Sequence, residues 1–129
     1  MIIEKTKNTP RISFDNKKYE VTFEGASYPE NSKRFYSPIK EILENFLKEI
    51  KKNDTKVICK LSILSSTSVS YMFEMLKMFN NFSKKNNSVS VDWYYEEDDE
   101  EMCIYGDCYK KEFNNLSFKI IKIKDLELL

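Results

Sequence analysis

Near the N-terminus, apolar residues alternate with polar residues, which is the period of a β-strand with one buried face. The apolar members of two such runs are Ile12 and Phe14, then Tyr19, Val21 and Phe23. The residues between the runs, Asp15-Asn16-Lys17, are typical of a turn and predict a β-hairpin. Residues 1–9 show no period, so we expect a flexible or partly ordered lead-in to the fold.

Two later segments repeat apolar residues at helical spacing. In the first, Ser37 has the features of an N-cap and Pro38 those of a first helical position. The apolar face that follows consists of Ile39, Ile42, Leu43, Phe46, Leu47 and Ile50. The opposite face is charged and contains the favourable pair Glu44 and Lys48, so we expect it to face solvent. The second helix is predicted from about Ser68 to Lys84, with most of its Met and Phe side chains in the core.

The remaining apolar segments predict three strands and one short helix. Residues 57–64 are almost continuously apolar, which indicates a central strand covered on both faces. Residues 89–95 alternate, and we expect Trp93 on the inward face as a core anchor. A short helix is expected to end at Gly106, before a closing strand at residues 118–123. Turns are predicted at Asn53-Asp54 and at Asn86-Asn87.

The resulting order, β-β-α-β-α-β-α-β, predicts an α/β (α+β) fold. A mixed five-stranded sheet would pack against two long helices and a short third, with strands joined through a helix paired in parallel. The chain has 129 residues, of which 41% are hydrophobic, so it can bury one core but scarcely two. We therefore expect a single domain over residues 1–129.

The charge balance narrows the class of partner. The chain has 21 basic and 21 acidic residues, so it lacks the positive excess that nucleic acid or an anionic membrane surface would require. No apolar run approaches the roughly 20 residues of a membrane span, and the N-terminus lacks the apolar segment of a signal peptide. We expect a cytoplasmic protein whose partners are proteins or small molecules.

Several residue types that carry chemistry are rare or missing. The chain contains no histidine, which removes the commonest general base and metal ligand. Its two glycines, Gly25 and Gly106, cannot form a glycine-rich phosphate loop, so ATP and NAD sites are not expected. Cys59, Cys103 and Cys108 have no zinc-like spacing and are expected to be free thiols. We therefore predict no cofactor.

Four hydroxyl residues at positions 65–68 follow the apolar strand and precede the second helix. One of them is expected to cap the helix, with its side-chain oxygen accepting a backbone N–H. The same position suits a phosphate, because free N–H groups and the helix dipole both favour an anion. Since one hydroxyl is enough for a cap, others are available for phosphorylation.

Six consecutive carboxylates, at positions 96–101, follow the aromatic strand. A solvated turn, a surface that docks a basic partner and a hard-cation site are all compatible with such a run. The alternating ligands and central glycine of a calcium loop are absent. The alternative function is therefore a ligand- or divalent-metal-binding domain, or a carboxylate-based enzyme, that uses Glu30 and the acidic run.

Two segments carry a specific resemblance to a known family. The first is residues 25–32, Gly-Ala-Ser-Tyr-Pro-Glu-Asn-Ser, followed by Phe35-Tyr36-Ser37-Pro38. The second is residues 93–102, Trp-Tyr-Tyr-Glu-Glu-Asp-Asp-Glu-Glu-Met, with Gly106 beyond it. Both resemble motifs of the SiaC-family regulatory phosphoproteins, bacterial proteins whose fold is similar to that of STAS, or anti-sigma-factor-antagonist, domains. The similarity extends from about Phe14 to Ile123.

The resemblance implies a phosphoacceptor at Ser66, with Thr67 as the alternative. In the family, the strand before the second helix ends in a segment of the type Asn-Thr-Ser-Ser-Ser-Lys, whose Thr is phosphorylated. Ser65, Ser66 and Ser70 lie at the positions of its Asn, Thr and Lys, so this chain differs from the pattern at all three.

The resemblance further implies a regulatory protein with no catalysis of its own. The unphosphorylated protein would bind and stimulate a diguanylate cyclase in cyclic-di-GMP signalling and biofilm regulation, and a Ser/Thr kinase and a phosphatase would control it. The residues expected to contact a partner are Tyr28, Pro29, Glu30, Asn31, Ser65, Ser68, Glu96, Glu97, Asp98 and Asp99.

Overall fold

The structure, a computed structural model, describes residues 1–85 and 88–129. The strands are β1 (Ile2–Ile3), β2 (Arg11–Asp15), β3 (Glu20–Ser27), β4 (Thr55–Leu64), β5 (Val89–Glu96) and β6 (Leu116–Ile123). The helices are α1 (Ser32–Ile50), α2 (Ser66–Lys85) and α3 (Glu100–Glu112), and a 3-10 turn (Leu126–Leu128) follows β6. The turn predicted at Asn86-Asn87 lies outside the described residues.

The six strands form one mixed sheet in the order β1-β2-β3-β4-β5-β6. β1 to β3 pair antiparallel, and β3 to β6 pair in parallel, so the predicted fold class is confirmed. The sheet has six strands where five were predicted, because Ile2 and Ile3 pair with Ser13 and Ile12 of β2. A strand of two residues is too short to show a period in the sequence.

The three helices lie on one face of the sheet. Parallel crossovers are right-handed, and β3 to β6 are neighbours in chain order, so each crossover advances in the same direction and places its helix on the same side. One row of paired residues beneath the helices is buried along its whole length: Phe14, Val21, Val57, Val91 and Phe118. The core therefore lies between one sheet face and the helices.

The prediction that β4 is covered on both faces is wrong. Its buried side chains alternate with Lys56, which is exposed, and with Ile58 and Lys60, which are half-buried. Because the sequential strand order places every helix on the other side, this face has no covering layer among the described elements. The charged ends of Lys56 and Lys60 pair there with Asp92 at 3.1 Å and Glu24 at 3.7 Å.

Trp93 is the core anchor that the alternation predicts. Its side chain is fully buried, and its Nε1–H donates to the carbonyl oxygen of Met102 at 2.9 Å. The three cysteines are free thiols, of which only Cys59 is buried. Most of the Met and Phe side chains of α2 are in the core; the exceptions are Met78, which is half-buried, and Phe73, which is 36% exposed.

Helix α1 begins at Ser32, earlier than the start predicted after Ser37. Asn31 is the N-cap, and its side chain accepts a hydrogen bond from Arg34 N at 3.0 Å. Pro38 lies inside the helix, where it cannot donate a hydrogen bond to the carbonyl of Arg34. Because Asn31 caps the helix, its first residue is Ser32, six residues before Pro38, and the proline does not mark the boundary.

Two other predicted boundaries are also corrected. β3 continues through Gly25, Ala26 and Ser27, which were predicted to be part of a loop, and the pairing register with β4 shifts between Gly25 and Ala26. The φ of +105° at Gly25 is one that glycine adopts without steric cost. Helix α3 continues past Gly106 to Glu112. Gly106 lies in the middle of the helix, where it packs closely against Trp93, and it is not a helix end.

Within the described residues, none of the helices has both the length and the apolar character that crossing a membrane requires.

Candidate functional site

The structure brings the three segments singled out in the sequence to one edge of the sheet. β3, β4 and β5 are parallel, so their last residues, Ser27, Leu64 and Glu96, lie at the same edge, which we call the carboxyl edge. The loop at residues 28–31, the hydroxyl cluster and the acidic run follow these strands. Ser65 N donates to Ser27 O at 2.9 Å, which ties the hydroxyl cluster to the start of the loop.

Ser65 is the N-cap of α2. Its Oγ accepts from Ser68 N at 3.3 Å, and its carbonyl oxygen accepts the helical bond from Val69 N at 2.9 Å. The helix therefore begins at Ser66, two residues before the predicted start. The predicted position of the hydroxyl cluster, at the N-terminal end of this helix, is confirmed.

Ser68 was expected to contact a partner but is fully buried. Its Oγ lies 2.7 Å from Ser27 Oγ and 3.0 Å from Ser65 Oγ, and Ser27 also hydrogen-bonds the Tyr36 hydroxyl. Burial raises the pKa of the Tyr36 phenol above its ordinary value. Ser68 thus supports the carboxyl edge from beneath and does not line its surface.

The hydrogen bonds of Ser27 and Tyr36 were not predicted. Both residues lie in the first motif, but nothing in the sequence shows that they meet Ser68, which is 41 residues away from Ser27. Tyr36 also stacks on Tyr71 of α2, with ring centroids 5.2 Å apart. These contacts join β3, α1 and α2 directly below the hydroxyl cluster.

Ser66 and Thr67 are both exposed, but their hydroxyls differ in their hydrogen bonds. Thr67 Oγ1 lies 2.6 Å from Ser32 Oγ and 3.3 Å from Ser65 Oγ. The Ser66 hydroxyl has no hydrogen-bond partner in the part of the chain that the structure describes, and only its carbonyl is engaged, accepting from Ser70 Oγ at 3.4 Å. Ser66 therefore presents the freer nucleophilic oxygen.

The loop beside this helix start is partly surface and partly support. Tyr28 is 38% exposed, Glu30 is exposed and Pro29 is half-buried. The backbone N–H of Tyr28 donates to Asn8 O at 2.9 Å, so the N-terminal segment holds the loop. Asn31 is exposed as well, but its side chain is engaged in capping α1.

The acidic run is divided among different roles. Glu96 Oε2 accepts from Leu126 N at 3.0 Å, and Asp99 caps α3 by accepting from Met102 N at 3.1 Å. Glu101 accepts a hydrogen bond from the Tyr105 hydroxyl, and this bond raises the pKa of Tyr105. Glu97 and Asp98 are the exposed carboxylates of the turn.

A small cavity joins the acidic run to the end of β4. Its volume is about 250 Å³, and its lining includes Ile63, Leu64, Asp99 and Glu101. Ile63 is 49% exposed. The exposed surface of the carboxyl edge is therefore acidic with apolar side chains, Tyr28 and Ile63, within it.

The acidic run is also where the alternative function would place a metal ion. Nowhere in residues 1–85 and 88–129 do three or more His, Cys, Asp or Glu side chains form a group that could hold a metal ion. The carboxylates at positions 96, 99 and 101 are each engaged by the different donors described above.

One family model matches nearly the whole chain. The family model described as SiaC family regulatory phosphoprotein matches residues 3–123. An uncharacterised protein of Pseudomonas aeruginosa strain UCBPP-PA14 is 24% identical over 107 residues, which are 83% of this chain and 84% of that protein.

Solved structures of SiaC from Pseudomonas aeruginosa have the same fold. Apo-SiaC superposes with a TM-score of 0.79 at 23% identity, covering 95% of this chain and 96% of that chain. SiaC in complex with the diguanylate cyclase SiaD, of which it is the activator, superposes with a TM-score of 0.82 at 22% identity, covering 97% of this chain and 99% of that chain.

Proposed function

Because the chain belongs to the SiaC family of regulatory phosphoproteins, we propose that it binds and stimulates a diguanylate cyclase while Ser66 is unphosphorylated, and releases the cyclase when Ser66 carries a phosphate. The Pseudomonas protein that shares this fold is the activator of such a cyclase. In this proposal the protein acts by binding and needs no catalytic step of its own. Its further partners are a Ser/Thr kinase and a phosphatase, and it works in the cytoplasm, where ATP is available to the kinase.

The observation that carries the proposal is the position of Ser66. It is the first residue of α2, its side chain is exposed, and the neighbouring Ser65 already caps the helix. A kinase can therefore reach the hydroxyl without unfolding the helix start. A phosphate at this position gains about 0.3–1 kcal/mol from the helix dipole, so the modified protein stays folded.

A phosphate at Ser66 would change how the carboxyl edge binds. It adds about 1.5–2 negative charges at pH 7 to a surface that already carries Glu30, Glu97 and Asp98. Burying a dianion in an interface is costly unless it is paired, whereas a neutral hydroxyl is buried easily. A partner that packs on Tyr28 and Ile63 beside the unmodified hydroxyl would thus be released.

The surface proposed for cyclase binding consists of the exposed residues of the carboxyl edge. These are Tyr28, Glu30, Ile63, Ser66, Glu97 and Asp98, with Pro29 half-buried among them. Asn31, Ser65 and Asp99 hold the surface as helix caps, and Glu96 holds the C-terminal turn.

The test is cyclase activation in a purified system. Cyclic-di-GMP formation by the diguanylate cyclase of the source cell would be measured with the wild-type protein and with Ser66→Ala, Ser66→Asp and Ser117→Asp. Wild type and Ser66→Ala should stimulate equally, and Ser66→Asp should lose most of the stimulation. Ser117 is exposed on β6, away from the carboxyl-edge residues, so Ser117→Asp controls for added charge. Full stimulation by Ser66→Asp, or none by wild type, would contradict the proposal.

A further inference from the structure

A groove between α1 and α2 lies outside the proposed cyclase surface. Its volume is about 1090 Å³, and its floor is apolar, formed by Leu47, Met78 and Phe82. The α1 residues of the lining extend from Ser37 to Lys48, a stretch that at 1.5 Å per residue is about 16 Å long, and Lys51 and Lys52 follow the end of the helix. This length accommodates a helix of about three turns.

One end of the groove is strongly basic. Lys48 lies in the last turn of α1, Lys51 and Lys52 follow that helix, and Lys85 is the last residue of α2. Lys48 lies 3.7 Å from Glu44, but Lys51, Lys52 and Lys85 have no carboxylate within 4.0 Å among the described residues. The basic end therefore has positive charge that the surrounding residues do not neutralise.

Lys51 is held in a backbone conformation that favours glycine. Its φ is +54° and its ψ is −113°, and Asn53 N donates to Ile50 O at 3.2 Å across it, as in a type II′ turn. A lysine at such a position is strained, and glycine would relieve the strain. The strain is explained if the Lys51 side chain is needed in the groove.

We propose that this groove docks an acidic amphipathic helix of a partner protein, whose apolar side chains contact Leu47, Met78 and Phe82 and whose carboxylates pair with Lys51, Lys52 and Lys85. The combination of a recessed apolar floor with a basic end is the complement of such a helix.

The other anionic partners fit the groove less well. A bilayer surface is contacted by protruding apolar side chains, whereas Leu47 and Phe82 are each only 9% exposed. A nucleic-acid backbone would meet Glu41 and Glu44 in the middle of the groove, which repel phosphate. The acidic run of a second copy has no apolar residue within positions 96–101 and cannot fill the floor.

The test uses a synthetic probe and the full-length protein. An amphipathic peptide of about fifteen residues, with Leu at helical spacing and Glu at one end, would be titrated into the labelled protein and followed by NMR. The same peptide with Lys in place of Glu is the matched control. With the acidic peptide only, we expect saturable chemical-shift changes that are confined to the groove residues.

The decisive variant is Lys51→Gly, which should have opposite effects on stability and binding. Removing the strain should raise the midpoint of thermal unfolding, whereas losing the charge should weaken acidic-peptide binding by about fivefold or more. Lys17→Ala removes an exposed charge from the β2–β3 hairpin and should leave the affinity unchanged. Ser66→Asp should also bind the peptide normally, which separates this groove from the cyclase surface.

Several outcomes would overturn the proposal. These are the absence of shift changes, equal binding of the two peptides, an equal loss in Lys17→Ala, or a Lys51→Gly variant that is stabilised without losing affinity. Shift changes in the groove produced by anionic vesicles or DNA, or by a rise in protein concentration alone, would assign the groove to a different partner.

Discussion

Trp93 of β5 and Gly106 of α3 are in direct contact. A Cβ atom at Gly106 would lie 2.4 Å from Cδ1 and 2.7 Å from Nε1 of the indole, closer than side-chain atoms approach each other. The indole N–H is fixed in turn by its bond to Met102 O, one helical turn before Gly106. The Trp and the Gly of the second motif therefore pack against each other, and the acidic turn connects the two elements that carry them.

The first prediction concerns this contact. The methyl group added by Gly106→Ala would meet the buried indole at under 3 Å, so we expect an overpacking cost near the upper end of the usual range, about 3 kcal/mol. Helix propensity returns about 1 kcal/mol, which leaves a net destabilisation of about 2 kcal/mol. The free energy of unfolding in urea measures it, with Cys108→Ala as the control, since Cys108 is exposed on the same helix. Equal stability of Gly106→Ala and wild type would contradict the contact.

The second prediction uses Trp93 as a probe of the core. It is the single tryptophan of the chain, so intrinsic fluorescence reports on it alone. Because the side chain is fully buried, emission should be blue-shifted and iodide should quench it poorly. Strong quenching by iodide in the native state would show instead that the indole reaches solvent.

The order of helices and of the main strands could be predicted from the sequence, because each element has a periodic apolar face. Trp93 and the alternating residues beside it are the clearest case. The open face of β4 could not be predicted, since an apolar run gives no information about which side the crossovers take. Asn31 and Pro38 show a second limit: the proline indicated a helix start, but the cap seven residues before it determined the start.

The segments that form the candidate site could be chosen from the sequence, but the roles of the individual hydroxyl residues could not. Ser65 to Ser68 look alike as residues, and only the fold separates a cap, an exposed hydroxyl, an engaged hydroxyl and a buried one. The decisive contacts, Ser27 to Ser68 and Ser32 to Thr67, join residues 41 and 35 positions apart. Local patterns do not contain such long-range pairings.

The third prediction separates the cap from its neighbour. Ser65→Ala should cost about 1 kcal/mol or more, because it removes the side-chain acceptor for Ser68 N and a partner of the buried Ser68 hydroxyl. Ser66→Ala should stay within about 0.5 kcal/mol of wild type, since its hydroxyl is exposed. Urea unfolding of both variants tests the order. A larger loss in Ser66→Ala than in Ser65→Ala would show that Ser66 is the cap.

The fourth prediction is a loss of stability at alkaline pH. Burial, and secondarily the charge of Asp92, raises the pKa of the Cys59 thiol far above its ordinary value of 9.0. Above pH 9 the unfolded chain loses this proton while the folded chain keeps it, so the free energy of unfolding falls as pH rises. Cys59→Ala, though less stable at pH 7, should lose about 1 kcal/mol less than wild type between pH 9 and pH 10. Identical slopes would contradict this assignment.

The last prediction is that the phosphate is carried by Ser66 and not by Thr67. Modification of Thr67 would require its hydroxyl to leave Ser32 and Ser65, with which it lies at 2.6 Å and 3.3 Å, whereas the Ser66 hydroxyl can react in place. Mass spectrometry of the protein isolated from its source cell should locate the phosphate on residue 66. Ser66→Ala should abolish it, while Thr67→Ala and the conservative variant Ser66→Thr should retain it. A phosphate on Thr67 of the wild-type protein, or one that persists in Ser66→Ala, would contradict this prediction. Either result would assign the switch to Thr67 and show that its hydrogen bond to Ser32 opens during modification.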